Sequence, residues 1–190
     1  MPNKGHEDVT MVMVVEHKLI LRMVALVEKN SELLEQGKFA DWQFFLDAVD
    51  FIRGYADRFH HAKEEDTLFT ALIANGMPEK NSPIEAMHMA HDQGRAFVRA
   101  MEAAATKALA GESGQEAAIV ENARGYAALL REHIHTEDNI LYPLAEKTLP
   151  ADVRPAMIEA YNHAEAEAPA DFTERYVSMV EGYETSGDNL

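Results

Sequence analysis

Long stretches of the chain carry apolar side chains every three or four residues, and short clusters of glycine and proline separate these stretches. Such spacing places the apolar side chains on one face of an α-helix. The pattern predicts helices near residues 8 to 36, 40 to 75, 82 to 110 and 115 to 147. No segment alternates apolar and polar residues for long, so we expect no strands.

The connections between the predicted helices are short, which favours antiparallel neighbours. We therefore predict an all-α fold, with an up-down-up-down four-helix bundle over residues 8 to 147. Residues 148 to 190 are rich in alanine and glutamate. They predict an additional C-terminal helical extension, with helices from about Asp152 and Phe172, that packs on the bundle.

Composition and charge restrict the classes of function. The chain has 190 residues, enough for one domain with a substantial core, and its lack of cysteine excludes disulfides and thiolate metal sites. The formal net charge of -16 makes nucleic acid and anionic membrane surfaces unexpected partners. The most apolar N-terminal stretch, residues 11 to 27, is interrupted by charged side chains and does not resemble a secretion signal. We therefore expect no membrane span and a cytoplasmic location.

Polar residues interrupt the apolar face of every predicted bundle helix. A histidine lies on the inward face of each helix, and in the second and fourth helices a glutamate follows it one turn later. The six inward residues are His17, His60, Glu64, His91, His133 and Glu137. A single buried histidine is usually hydrogen-bonded to a neighbour, but burying all six without partners would cost several kcal/mol. Together they indicate a metal site.

The two His-x-x-x-Glu pairs lie in HHAKEEDTLF, residues 60 to 69, and HIHTEDNILY, residues 133 to 142. This spacing puts an imidazole and a carboxylate about 6 Å apart on one helix face. Imidazole and carboxylate without thiolate suit iron or manganese, and zinc less specifically. Two carboxylates that can each bridge two cations favour a pair of ions. If each of two ions takes six ligands, there are about twelve coordination positions. The four histidines fill four of them, the two bridging carboxylates fill four and a bridging oxygen fills two. About two positions therefore stay open for a further ligand.

The order and spacing of these motifs resemble the hemerythrin-like family, also called HHE cation-binding domains, over roughly residues 10 to 147. The segments that carry the resemblance are His17, HHAKEEDTLF, AHDQGR at residues 90 to 95, and HIHTEDNILYP at residues 133 to 143. The resemblance implies a four-helix bundle that holds two iron ions, bridged by the two His-x-x-x-Glu glutamates. The family's ligands then fall on the same six inward residues.

Two departures from the family's oxygen carriers leave questions open. Those carriers have His-x-x-x-His on the third helix, whereas this chain has Met87 at the first of those positions, with His88 beside it. They also have His-x-x-x-x-Asp on the fourth helix, and His133 with Asp138 satisfies that spacing as well. The inward stripe favours Glu137 over Asp138 as the bridging carboxylate.

Four further residues have more than one interpretation. His61 and Glu65 either orient the ligands or form a solvated pair on the outer face, and we expect the solvated pair. Glu16 either accepts a hydrogen bond from a ligand histidine, or adds a carboxylate to the iron, or lies on the surface, which we expect. Tyr126 either donates to a ligand at the metal or is a core tyrosine, and we expect the core position.

The function expected from these features is that of a di-iron protein that binds or reacts with dioxygen, peroxide or nitric oxide, for sensing, storage or detoxification. The alternatives are a di-iron oxidoreductase, through peroxide reduction or ferroxidase chemistry, and an iron storage or regulatory protein. The expected partners are a small diatomic ligand or peroxide, with a redox partner protein as an option. The sequence leaves the oligomeric state open.

Overall fold

The fold is seen in a computed structural model, which describes residues 8–38 and 41–187. Within these ranges the chain is helical and contains no strand, so the predicted all-α fold is confirmed. No helix among the described residues is both long enough and apolar enough to cross a bilayer. The helices are α1 (Met11–Glu35), α2 (42–74), α3 (Pro83–Leu109), α4 (116–148), α5 (Arg154–Ala166) and α6 (Phe172–Gly187).

The helix boundaries follow local capping chemistry. The Asp41 carboxylate accepts hydrogen bonds from two backbone N–H groups in the first turn of α2, and the Ser82 hydroxyl accepts one from Glu85 at the start of α3. Gly76 and Gly111 follow the ends of α2 and α3 with φ of 99° and 88°, which glycine adopts without strain. Residue 40, where the second helix was predicted to begin, lies outside the described residues.

Ion pairs between neighbouring helices define the direction of each helix. They join Glu28 to Arg131, Glu35 to Arg124, Arg53 to Glu102 and Asp57 to Arg95. Residue numbers rise along one helix as they fall along its neighbour, so α1 runs antiparallel to α4 and α2 runs antiparallel to α3. The helices form the predicted up-down-up-down bundle.

The interior consists of two apolar cores with a polar layer between them. The large core contains Ile20, Ala56, Val98 and Leu130, and the small core contains Met13, Leu68, Met87 and Leu141. Each bundle helix contributes to both cores and, between them, supplies the histidine that sequence periodicity placed inside. The apolar cores therefore hold this layer at a fixed depth and shield it from water.

Helix α5 packs on the small core, and helix α6 packs on the large core. Met157 and Tyr161 of α5 are buried in the small core, and Tyr176 and Val180 of α6 are buried in the large core. Helix α6 approaches α2 closely, because a Cβ at Gly54 would lie only 2.0 Å from the Tyr176 hydroxyl oxygen. The C-terminal segment thus packs on the bundle, while its separation as a second unit stays a prediction.

Helices α2 and α4 contain wide π-helical turns near the polar layer. The π-helical segments are Ile52–His61, Glu64–Phe69 and Glu137–Leu141. The Ala62 N–H donates to the Asp57 carbonyl and the Tyr142 N–H donates to the Glu137 carbonyl, both five residues back. A wider turn carries each residue less far around the helix axis, so α-helical periodicity misplaces side chains here.

Candidate metal centre

The structure brings the six residues predicted from the sequence into one buried layer. We call this set, His17, His60, Glu64, His91, His133 and Glu137, the histidine layer. Each of its members is less than 5% exposed. Their convergence is a property of the fold, and their role as metal ligands stays a prediction.

The histidines of the layer meet in two pairs through their Nε2 atoms. The Nε2 atoms of His17 and His60 lie 2.9 Å apart, and those of His91 and His133 lie 3.0 Å apart. Each pair therefore presents two ring nitrogens to one small volume. Two imidazoles that face each other in this way are a ready pair of ligands for a cation.

Glu137 lies between the two histidine pairs. Its two carboxylate oxygens lie 3.4 Å from Nε2 of His17 and 3.1 Å from Nε2 of His133, respectively. Neither oxygen makes a hydrogen bond among the described residues. Burial, together with the nearby negative charge of Glu64, raises the pKa of Glu137 well above its usual range.

Glu64 spans the two pairs from the other side. Its Oε2 lies 3.8 Å from Nε2 of His60 and 3.5 Å from Nε2 of His91, and it makes no hydrogen bond among the described residues. Its Oε1 accepts a hydrogen bond of 2.6 Å from the Tyr142 hydroxyl. Each glutamate thus reaches one imidazole of each pair.

Three groups of candidate ligand atoms result among the described residues, and two of them together contain the whole layer; within each group the atoms lie within 4.8 Å of one another. The His133 group consists of His61, Glu64, His91 and His133, and the His17 group consists of His17, His60 and Glu137. A buried carboxylate without a partner is costly, and a cation between the imidazoles would neutralise it. The donor set, its burial and its unpaired oxygens therefore fit metal ions.

Carboxylates on the outer side of the layer fix the orientation of three histidines. The Nδ1 atom of His17 lies 2.8 Å from Asp138, that of His60 lies 2.8 Å from Glu16, and that of His91 lies 2.6 Å from Glu65. A carboxylate that accepts from Nδ1–H selects the tautomer in which Nε2 is free to bind a metal. Three of the four layer histidines are held in this way.

This arrangement separates the roles of Glu137 and Asp138. Asp138 is 30% exposed and contacts the outer nitrogen of His17, whereas Glu137 is 0% exposed and faces the inner nitrogens. Of the two carboxylates, only Glu137 contacts both histidine pairs, and its role as the bridging carboxylate stays a prediction. Burial opposes protonation of His17, but the hydrogen bond to Asp138 and the charge of Glu137 raise its pKa to about 9.

The expectation that Glu16 lies on the surface is wrong. Glu16 is buried, contacts Nδ1 of His60, and forms an ion pair with the buried Lys63. Lys63 also contacts Glu165 of α5 at 3.1 Å. Burial raises the pKa of Glu16 to about 7, against the opposing charge of Lys63. A chain of polar contacts thus links the C-terminal segment to a layer histidine.

The expectation of a solvated pair between His61 and Glu65 is also wrong. His61 is 6% exposed, and its ring stacks on that of His91 with centroids 3.8 Å apart. Glu65 contacts His91 rather than His61. The π-helical turns of α2 explain the difference, because they bring His61 inward beside His60. In the sequence, the only indication that His61 belongs to the site is that it directly follows His60.

Two tyrosines adjoin the layer. Tyr142, which sequence periodicity did not single out, contacts Glu64 and lies 3.4 Å from Nε2 of His17. Tyr126 is buried, as expected of a core residue, but its hydroxyl has no hydrogen-bond partner among the described residues. His88 packs edge-on against Phe69, with its ring centroid 6.5 Å from that of His91, and forms a separate, partly exposed group of candidate ligands with Glu65 and His91.

Comparison with known protein families agrees with this geometry. The sequence model of the family described as Hemerythrin HHE cation binding domain matches residues 8–145, which include α1 to α3 and nearly all of α4. No curated protein and no solved structure gives a significant match.

Proposed function

Because the chain belongs to the hemerythrin HHE cation-binding domain family, we propose that its histidine layer holds two iron ions and binds a small oxidant. The oxidant is dioxygen, peroxide or nitric oxide. Family membership supports cation binding. The choice of iron, the number of ions and the oxidant are the parts that we propose.

The observation that carries the proposal is the placement of the two glutamates across the two ligand groups. Glu137 reaches His17 and His133, and Glu64 reaches His60 and His91. A mononuclear site would leave one histidine pair and at least one carboxylate oxygen without a cation. Two ions would give both histidine pairs, and the unpaired oxygens of Glu64 and Glu137, a cation within reach.

The surrounding residues would position ligands and exclude water. The Tyr142 hydroxyl donates to Glu64 and fixes one of its oxygens, while the outer carboxylates hold the imidazoles. Four histidines and two bridging carboxylates fill about eight of about twelve coordination positions of two six-coordinate ions. Bound iron would supply a redox-active centre with room for a small oxidant.

Metal analysis of freshly purified protein, combined with its visible absorption spectrum, tests the proposal. We expect two irons per chain and an absorption band that changes when oxidant is added. The double variant His60→Ala/His133→Ala removes one histidine from each ligand group and should lose both the iron and the band. The matched control is His163→Ala, because the side chain of His163 is 78% exposed in α5.

A stoichiometry of one zinc per chain would contradict the di-iron proposal, as would unchanged iron content in the double variant. Oxidant consumption by the reduced protein then distinguishes a binding protein from an enzyme. A single stoichiometric reaction indicates binding or sensing, whereas consumption over many cycles with a supplied reductant indicates catalysis.

A further inference from the structure

A cavity of about 200 Å³ lies between α2, α3 and α4, next to the His133 group. Buried apolar side chains, Ile52 and Val98 among them, line it together with His61, His91 and His133. A water molecule occupies roughly 30 Å³ in the liquid, so the cavity has several times the room that a diatomic ligand needs. It is still smaller than pockets for drug-sized ligands, which begin at about 300 Å³.

The charges that line this cavity oppose the charge of the whole chain. Arg53, Arg58, Arg95 and Arg99 line it against a single carboxylate, Asp57, whereas the chain has 33 acidic and 17 basic residues. Arg53 is paired with a glutamate, and Arg95 is paired with Asp57 and two further carboxylates. Arg58 and Arg99 are exposed and form no ion pair with another described residue. The opening therefore offers two available guanidinium groups.

The inner wall offers a hydrogen-bond donor without an acceptor. Tyr126 is 2% exposed and lines the cavity, and its hydroxyl has no partner among the described residues. Burial raises the pKa of Tyr126, so the hydroxyl keeps its proton. A buried polar group of this kind is normally satisfied by a neighbour, water or a ligand. An oxygen atom of a bound molecule would satisfy it.

We propose that this cavity binds a small organic carboxylate with an apolar body and an oxygen atom at its far end. The carboxylate group meets Arg58 and Arg99 at the opening, the apolar body lies along Ile52 and Val98, and the far oxygen accepts from Tyr126. Arginine suits this role because its planar guanidinium binds carboxylates with two parallel hydrogen bonds. The binding itself does not depend on the metal, whereas its position beside a metal centre rests on the proposed function.

Isothermal titration calorimetry with three probes tests the proposal on the full chain as purified. The probes are 4-hydroxybenzoate, its neutral amide 4-hydroxybenzamide, and benzoate, which lacks the far oxygen. We expect 4-hydroxybenzoate to bind at a single class of sites, about tenfold or more tighter than the amide, because charge-assisted hydrogen bonds are lost with the amide. Benzoate should bind about three- to tenfold more weakly than 4-hydroxybenzoate.

Variants assign these differences to named residues. The double variant Arg58→Gln/Arg99→Gln should weaken the binding of 4-hydroxybenzoate at least about tenfold. The control is Arg124→Gln/Arg131→Gln, whose arginines pair with glutamates of α1. This control should leave the affinity for 4-hydroxybenzoate unchanged. Tyr126→Phe should remove the advantage of 4-hydroxybenzoate over benzoate. This variant loses a hydroxyl that has no partner among the described residues, so we expect it to fold.

Repeating the titration after chelation separates the cavity from the metal. Binding that persists without metal and depends on the two arginines supports the proposal even if the di-iron assignment fails. Equal affinity for the acid and the amide would overturn it. So would binding that disappears with the metal and is insensitive to the arginine variants, because the carboxylate would then bind the metal directly.

Discussion

The imidazole rings of His61 and His91 stack with their planes 12° apart and their centroids at 3.8 Å. This contact joins α2 to α3 at the edge of the His133 group. It places a fifth histidine beside the layer, at the wall of the cavity that Ile52 and Val98 of the large core also line. His61 falls in the buried His133 group, whereas His88 falls in a separate, partly exposed group with Glu65 and His91.

Replacing His61 should weaken metal binding. We expect His61→Ala to lower the affinity for the metal about 10- to 100-fold, the range found when residues that support metal ligands are removed. The measurement is competition with a coloured chelator. His88→Ala is the matched control and should leave the affinity unchanged. If His88→Ala lowers the metal affinity more than His61→Ala does, then His88 moves inward and the assignment of His61 is wrong.

The neighbouring acidic residues Glu137 and Asp138 of α4 should respond differently to substitution. Glu137→Gln removes a carboxylate that reaches both histidine pairs, so we expect loss of at least one of the two proposed ions. Asp138→Ala leaves both ions in place but frees the His17 ring, which should weaken binding about 10- to 100-fold. The measurement is the metal content per chain of each variant after gel filtration. Retention of both ions in Glu137→Gln would transfer the bridging role to Asp138.

The buried ion pair between Lys63 and Glu16 should be important for stability. Lys63→Met leaves the Glu16 carboxylate buried without its cation, and breaking such a pair costs about 3 to 5 kcal/mol. Chemical denaturation of metal-free protein at about pH 8, where Glu16 is mostly ionised, measures this loss. Glu165→Gln removes only the outer partner, which is 38% exposed, and should cost less than about 1 kcal/mol. Similar losses in both variants would contradict the assignment.

Glu65 should add stability that depends on pH. The hydrogen bond from His91, aided by Arg95, lowers the pKa of Glu65 from 4.5 to about 2 despite partial burial. A lowered folded-state pKa contributes stability that is complete above the unfolded-state pKa and is lost as the pH falls through the folded-state pKa. The difference in unfolding free energy between wild type and Glu65→Gln, measured without metal, should therefore shrink between about pH 5 and pH 2. A difference that is constant over this range would contradict the prediction.

Much of this architecture could be predicted from the sequence because helix formation and burial depend on local periodicity. Apolar residues at helical spacing determine which face of each helix turns inward. Histidines that lie at the same spacing as these apolar residues are therefore predicted to turn inward as well. That is why His17, His91 and His133 were found from the sequence. The two His-x-x-x-Glu pairs were found because residues four apart share a helix face even where the turn widens slightly.

The orientation and partners of these side chains were decided only by the tertiary structure. Glu16 is buried because Lys63 of another helix supplies the charge that makes its burial tolerable, and no local pattern contains that contact. His61 lies inside because π-helical hydrogen bonds change the turn of α2, which a period of 3.6 residues cannot anticipate. The cavity at Tyr126 exists because three helices leave space between their side chains. The sequence by itself thus determined that the six residues of the histidine layer turn inward, and packing between helices determined what each of them meets there and that Glu16 and His61 are buried beside them.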